Sequence, residues 1–353
     1  MPDNVTFNGQ GITNMQLVKF MELPADIVDK LQTAQGSEYT AVANEFLDAL
    51  FNKVVYQTVA DATFNNPFKK YDGFPVNFGD TIENIFVEMP KGYKFNPNAT
   101  NPFAKAKPTV KALYATLNYD LQYKSTIEDS LLRRACLTEY GFMQIIDTIL
   151  GNLQKSMALD EYFAELTMFN NADIYANGFE TLEVDADASI RAKQVTEKIV
   201  DVVSDYKLPK SVNNKLGVLN PSRDGDILLV IKKEVYNSIN LDYLTGVFNL
   251  TKVDLIKNII VVDGFQTIMK EVTNEDNTTT YELAVEGEDL DFIIIDTRGM
   301  DNHVALQDGG LIYNPEGKYT NHYYNLWKIV SFKQFYNARA FKLHVAEEET
   351  EGE

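Results

Sequence analysis

The sequence predicts a segregated α+β protein carrying a long projecting arm, and three observations lead to that reading. The stretch from about Gly79 to Tyr123 alternates like the two arms of a hairpin, with an unusually long tip. From about Tyr140 to Phe169, apolar residues recur at helical spacing. Beyond Asp187, short aliphatic strands alternate with short helices before an aromatic, strand-like return.

Residues 1 to about 37 read as an irregular arm, punctuated by Gly9, Gly11, Pro24 and Gly36. A helix is predicted from about Tyr39, with Val42, Phe46, Leu47, Leu50, Val54 and Val55 on one face, ending before Asn65-Asn66-Pro67. The hairpin follows. Its first arm, Thr81 to Met89, carries Ile82, Ile85, Phe86, Val87 and Met89; its tip runs from Pro90 to Pro108. The return arm places Lys111, Leu113, Ala115, Leu117, Tyr119, Leu121 and Tyr123 on one face, with Thr116, Asn118 and Asp120 on the other. At ~3.3 Å per residue that arm reaches roughly 45 Å, and a lone two-stranded ribbon is marginal in water. Such an arm has to lie on something else, and the simplest partner is another copy of the chain.

Ser125-Thr126-Ile127-Glu128 matches a capping box and predicts a helix start. The long helix carries Phe142, Ile145, Ile146, Ile149, Leu150, Leu153 and Met157, and would be roughly 45 Å long at 1.5 Å per residue. Gly141 and Gly151 allow it to bend. Asp187 or Ser189 caps the next helix, which carries Val195, Ile199, Val202, Val203 and Tyr206 and is closed by Pro209. Strands are expected at Ile227 to Ile231, Ile259 to Val262 and Phe292 to Ile295, with helices near Lys233 to Asn237 and Leu241 to Phe248. A hairpin is expected over Thr267 to Val272 and Thr279 to Val285. Tyr323 to Leu343 reads as aromatic-rich strand, and 346–353 as an acidic, disordered tail.

The net charge of −19 argues against a protein that works by binding nucleic-acid phosphates. It permits a wall that encloses nucleic acid without adhering to it. The charge is uneven: no acidic residue falls between Glu88 and Asp120, whereas Lys91, Lys94, Lys105, Lys107 and Lys111 do. A basic arm on an acidic body suggests docking between copies. The candidate inter-subunit contact residues are those five lysines with Leu113, Leu117 and Tyr119.

Catalytic and metal-binding signals are weak. Cys136 is the single cysteine, so no internal disulfide or cysteine-based zinc site is expected, and its reading is a buried apolar residue. His303, His322 and His344 share no ligand spacing. Glu183, Asp185 and Asp187 read as a polar strand face leading into a helix cap, because the glycine and closing glutamate of a calcium loop are missing. Ser222-Arg223-Asp224-Gly225-Asp226 reads as turn chemistry. No nucleotide-loop, zinc-protease or nucleophile-elbow pattern occurs. The expectation is no enzyme, no cofactor and no metal. Aliphatic runs too short to span a bilayer, and an N-terminus without a signal-like segment, imply no membrane and a cytoplasmic origin.

Several stretches, in order, resemble the major capsid proteins of phi-29-like podoviruses, whose shells use the Hong Kong 97-type capsid fold of tailed bacteriophages. They are Asn65-Asn66-Pro67-Phe68-Lys69-Lys70, Gly79-Asp80-Thr81-Ile82-Glu83-Asn84-Ile85, Thr126-Ile127-Glu128-Asp129-Ser130-Leu131, Val261-Val262-Asp263-Gly264-Phe265, Asn314-Pro315-Glu316-Gly317 and Tyr323-Tyr324-Asn325-Leu326-Trp327. The resemblance implies an N-terminal arm and first helix (1–65), an extended loop (66–124) and a peripheral domain with its spine helix (125–186). An axial domain (187–312) and return strands of the peripheral domain (313–345) follow. It further implies many copies assembled as hexamers and pentamers into an icosahedral or prolate shell, with scaffolding protein and portal as partners. The shell would be built in the host bacterial cytoplasm and enclose double-stranded DNA without sequence-specific binding. Some relatives carry an immunoglobulin-like domain after the fold; the acidic stretch stands there in this sequence, so no surface-decoration role is implied. An encapsulin-like compartment and a soluble acidic enzyme are the alternatives.

Overall fold

The computed structural model describes residues 18–19, 22–55, 65–77, 79–90, 92, 94–95, 105, 107–137, 141, 152–239, 258–274 and 279–345. Most of the hairpin tip including Lys91, the first third of the predicted long helix apart from Gly141, the predicted helix at Leu241 to Phe248 and the acidic tail lie outside the described residues. The chain divides into two compact units: Met1–Asn66 with Asp120–Glu161 and Leu306–Leu326, and Pro67–Tyr119 with Tyr162–Ala305 and Trp327–Glu353.

The core of the first unit is helical. Helices α1 (Ile27–Thr33) and α2 (Gly36–Val55) pack with α3 (Asp129–Cys136) around Ile27, Leu31, Tyr39, Ala43, Phe46, Leu47, Leu132 and Cys136. The segment expected to be irregular therefore contains a helix. Seven residues are too short for periodicity to declare themselves, yet Ile27 and Leu31, four apart, supply a buried stripe. Helix α2 packs Val42, Phe46 and Leu47 of the expected face and starts at Gly36, whose φ of +60° favours glycine; the side chains of Leu50, Val54 and Val55 lie outside the described ones. Arg133 ties the three helices: its guanidinium stacks on the Tyr39 ring at 3.9 Å and donates to the Ala34 carbonyl at 3.1 Å.

The capping-box expectation at Ser125 to Glu128 is overturned. Those residues end strand β3 (Tyr119–Glu128), and the helix begins only at Asp129. Thr126 Oγ1 donates sideways to Asn321 Oδ1 at 2.7 Å instead of capping, and Ile127 is buried on the strand's inner face. Glu128 is instead the residue before the helix, and makes no side-chain cap bond.

The second unit is built on a five-stranded sheet. Its strands are β4 (Phe179–Val184), β5 (Ile227–Lys232), β6 (Ile259–Val262), β9 (Phe292–Asp296) and β12 (Ala338–Val345), in the order β4-β12-β9-β5-β6. The β12/β4 and β5/β6 pairs are parallel, and β9 runs antiparallel to both its neighbours. All residues of β9 are buried; Phe292 to Ile295 therefore reads as an unbroken apolar run, and the buried Asp296 that ends it pairs with Arg298. Helix α5 (Ala188–Lys207) covers the sheet with Val195, Ile199, Val202, Val203 and Tyr206, as its spacing requires. Asp187 caps it, its carboxylate accepting from the amides of Ser189 and Ile190. Helix α6 (Lys233–Ser238) and the antiparallel hairpin β7 (Thr267–Thr273) and β8 (Thr279–Val285) stand where they are expected. The predicted long helix is described as α4 (Asn152–Phe169).

The return from Tyr323 to Leu343 is strand as expected, carried by β11 (Tyr319–Phe332) and β12. The break holds Asn337, a buried side chain that donates to the Asn220 carbonyl and Ser222 Oγ, both at 2.9 Å. Strand β10 (Met300–Asn314), absent from the sequence reading, joins β11 and β3 in a three-stranded sheet ordered β10-β11-β3. The four residues from Met300 to His303 are all buried although three are polar. Polar groups held by ion pairs hide a strand from any reading of hydrophobic alternation.

Among the described residues no helix is long and apolar enough to cross a membrane. Burial pushes the Cys136 thiol up to about 12, so it stays protonated and unreactive. Native protein should fail to react with a thiol reagent at about pH 8 and react once denatured; native labelling would contradict the packing of α3. Burial also lowers His322 to about 4, from an ordinary 6.5. The unfolded chain therefore takes up this proton first as pH falls, and stability is lost between those two values while nothing changes above them. Chemical denaturation from about pH 7 to about pH 4.5 should cost wild type more stability than His322→Phe, and equal losses would contradict the assignment.

Candidate assembly surface

The hairpin's arms form a ribbon, β1 (Ile82–Val87) and β2 (Val110–Ala115), in antiparallel register from Ile82↔Ala115 to Val87↔Val110. One further rung, from the Glu88 amide to the Thr109 carbonyl, extends it at 2.9 Å. The return arm does not continue as one strand. It breaks after Ala115 and resumes as β3, in a different sheet. Asn118 sits in the break, its side chain accepting from the Val330 amide at 2.9 Å and donating to the Val330 carbonyl at 2.8 Å. Those bonds replace the ladder that a straight arm would have continued.

Alternation gives the ribbon two unlike environments. Ile82, Asn84, Phe86, Glu88, Lys111, Leu113 and Ala115 point to their own subunit and are buried or partly buried. Phe86 packs against Phe335 with tilted rings, their centres 5.5 Å apart. Lys111 Nζ donates to the Leu216 carbonyl at 2.6 Å and lies 3.4 Å from Glu88. The other face holds Glu83, Ile85, Val87, Val110, Ala112 and Tyr114, all exposed. Ile85, Val87, Val110 and Tyr114 keep 55%, 54%, 53% and 66% of their surface, and Met89 and Phe95 continue the apolar exposure toward the tip. Because one register aligns these side chains, they form a continuous apolar strip beside an open pair of strand edges.

The candidate contact residues fall into two groups. Lys94, Lys105 and Lys107 are exposed, and Lys91 lies outside the described residues. Lys111, Leu113, Leu117 and Tyr119 are turned inward and at least partly buried. Tyr119 lies against Tyr281 at 5.9 Å, with its hydroxyl 3.5 Å from the Ala164 carbonyl. The exposed strip Ile85, Val87, Val110 and Tyr114 was not among the candidates. Its signal was present: Ile82 and Phe86 fall on one parity of β1, Ile85, Val87 and Met89 on the other. A strand apolar on both faces needs two covers.

At its root the ribbon meets a buried polar cluster. Lys328 on β11 lies 2.8 Å from Asp72 and 3.5 Å from Glu165 on α4, and Asn302 Nδ2 donates to Glu165 at 3.0 Å. Beside it, Asp301 accepts from Lys333 at 3.0 Å and from Asn84 of β1. Burial raises the Asp301 carboxyl, but bonds from Lys333, His303 and Asn84 outweigh that and hold it below the usual carboxylate range. The carboxylate is thus a fixed anion joining β1, β10 and the end of β11. Among the described residues, no group of histidine, cysteine and carboxylate side chains is arranged to hold a metal ion.

The fold is that of bacteriophage capsid proteins. The capsid structure of Staphylococcus phage Andhra superposes with a TM-score of 0.62 at 15% identity, covering 82% of this chain and 87% of that one. The mature capsid of bacteriophage PhiM1 gives 0.55 at 10% identity, covering 82% and 91%. This is the Hong Kong 97-type α+β architecture that the resemblance implies. A family model described as Phi29-like phage major capsid protein matches residues 21–342, and the chain belongs to that family. Relatives include the major capsid proteins of Bacillus phage B103, 27% identical over 85% of this chain, and of Streptococcus phage Cp-1, 25% identical over 86%. The match takes in 84% of the Cp-1 protein but 64% of the B103 protein, less than two thirds of its length.

Proposed function

We propose that this chain is a shell-forming major capsid subunit, many copies of which enclose phage double-stranded DNA. The observation that carries the reading is the ribbon's apolar strip, which no described residue of the chain covers while the opposite face lies on its own subunit. The family membership supplies the class, and the strip supplies the contact. Burying a large apolar side chain stabilises by roughly 1.5–3 kcal/mol, a gain repeated at every subunit of a closed shell. Hexamers and pentamers of one chain, assembled with scaffolding protein and portal in the host cytoplasm, are the arrangement this reading adopts. The net charge of −19 suits a wall that contains DNA without adhering to it. No chemical step is assigned to the protein.

The exposed lysines Lys94, Lys105 and Lys107 have a second, electrostatic part in this reading. On an otherwise acidic protein they direct the tip to a neighbour's acidic surface, each pair worth at most ~1 kcal/mol.

Two outcomes follow. Ile85→Ser with Val87→Ser should leave a folded subunit but lower the yield of closed particles, seen by electron microscopy, at least about tenfold. Wild-type yields would remove the strip from the account. Lys105→Glu with Lys107→Glu should lower the yield of empty particles more at low salt than at high, because repulsion is screened less there. Equal yields at low salt would contradict tip docking, and a defect confined to DNA-filled particles would show instead that these lysines face the packaged DNA.

A further inference from the structure

Both ring nitrogens of His303 face oxygen atoms. Nδ1 lies 2.8 Å from the Phe74 carbonyl oxygen, and Nε2 lies 3.0 Å from Asp301 Oδ1. The imidazole is 4% exposed. The Phe74 ring packs over it at 4.6 Å, and the Gly73 backbone approaches so closely that an added Cβ would stand 2.4 Å from Cε1. A neutral imidazole carries one N–H and can satisfy only one of two acceptors; its other nitrogen would aim a lone pair at an oxygen. Asp301 does not supply the missing proton, because Lys333 and Asn84 hold it as a carboxylate. Two acceptors thus face a ring that has one N–H when neutral, and only the protonated ring can donate to both.

The surroundings contain charge of both signs. Lys333 shares Asp301 Oδ1 with the imidazole, at the same 3.0 Å, and competes with it. Ser331 Oγ lies 3.5 Å from Asp301 Oδ2. Through the adjacent Asn302, the next charges are Glu165, Lys328 and Asp72.

The backbone that His303 holds is the lead into the ribbon. Asp72 pairs in parallel with Asn302, the Gly73 amide donates to the Asn302 carbonyl at 2.7 Å, and the Val76 amide donates to the Val304 carbonyl at 3.0 Å. From there the chain enters β1 within a few residues.

We propose that His303 is a proton-controlled clasp: charged, it fastens residues 72–76 to β10, and on losing its proton it releases them and frees the root of the ribbon. The lost proton leaves one of the two bonds as a contact between lone pairs, inside a site too closed for water to take over. Release loosens the lead segment without disturbing the five-stranded sheet. The clasp does not depend on the shell reading; within a shell it would set how freely the ribbon can be re-aimed.

Hydrogen exchange followed by mass spectrometry on the full-length protein tests it, with rates corrected for intrinsic pH dependence. Between about pH 5.5 and about pH 8, protection of residues 72–77 should fall at least about tenfold while α5 keeps its protection. His303→Gln should make that protection independent of pH. Lys333→Met, which removes the competing cation, should move the transition to higher pH. Constant protection in wild type, an unchanged pH dependence in His303→Gln, or an unmoved transition in Lys333→Met would each overturn the clasp. The Lys333→Met result decides the matter if His303→Gln does not fold.

Discussion

A two-stranded ribbon with apolar residues on both faces sets the terms for the rest of this structure. One face rests on its own subunit, through Phe86 against Phe335 and Lys111 on the Leu216 carbonyl. The other, from Ile85 to Tyr114, is left open although its side chains are as apolar as those of a core strand. Among the described residues nothing closes the second face. The exposed strip would be an aggregation hazard in a monomer, and it is the expected property of a subunit whose working state is an assembly. The chain belongs to a phage major capsid protein family, and the proposed shell would provide that assembly.

The root of the ribbon is held by charge. Lys328 between Asp72 and Glu165, and Asp301 among Lys333, His303 and Asn84, place Lys328, Glu165 and Asp301 where they are almost wholly buried. Ion pairs in such places are poor devices for stability alone, since desolvation offsets much of their attraction. They do fix geometry: replacing one partner strands the other charge. Here they register β1, β10, β11 and α4 against one another.

The sequence announced the elements whose burial follows a simple period. Helix α5 and its Asp187 cap, the aliphatic strands β5, β6 and β9, and the hairpin β7–β8 stand where the spacing of apolar residues puts them. What it concealed has physical causes. Strand β10 begins with Asp301, Asn302 and His303, which look exposed until their partners, distant in sequence, are known. The Ser125 to Glu128 motif satisfies a capping rule locally, but the edge of a sheet claimed it first, through Thr126 and Asn321. For the assembly surface, alternation identified two faces of the return arm but not which one the subunit would keep for itself. Leu113 and Tyr119 went inward, and the open strip came from the parity of β1 that the clean alternation of β2 overshadowed.

Three-dimensional reconstruction of purified particles, at a resolution that shows side chains, tests the central claim most directly. The account predicts a closed shell in which Ile85, Val87, Val110 and Tyr114 of each subunit are covered by a neighbouring copy. Closed particles in which that strip faces solvent, or is covered by the subunit's own chain, would contradict it.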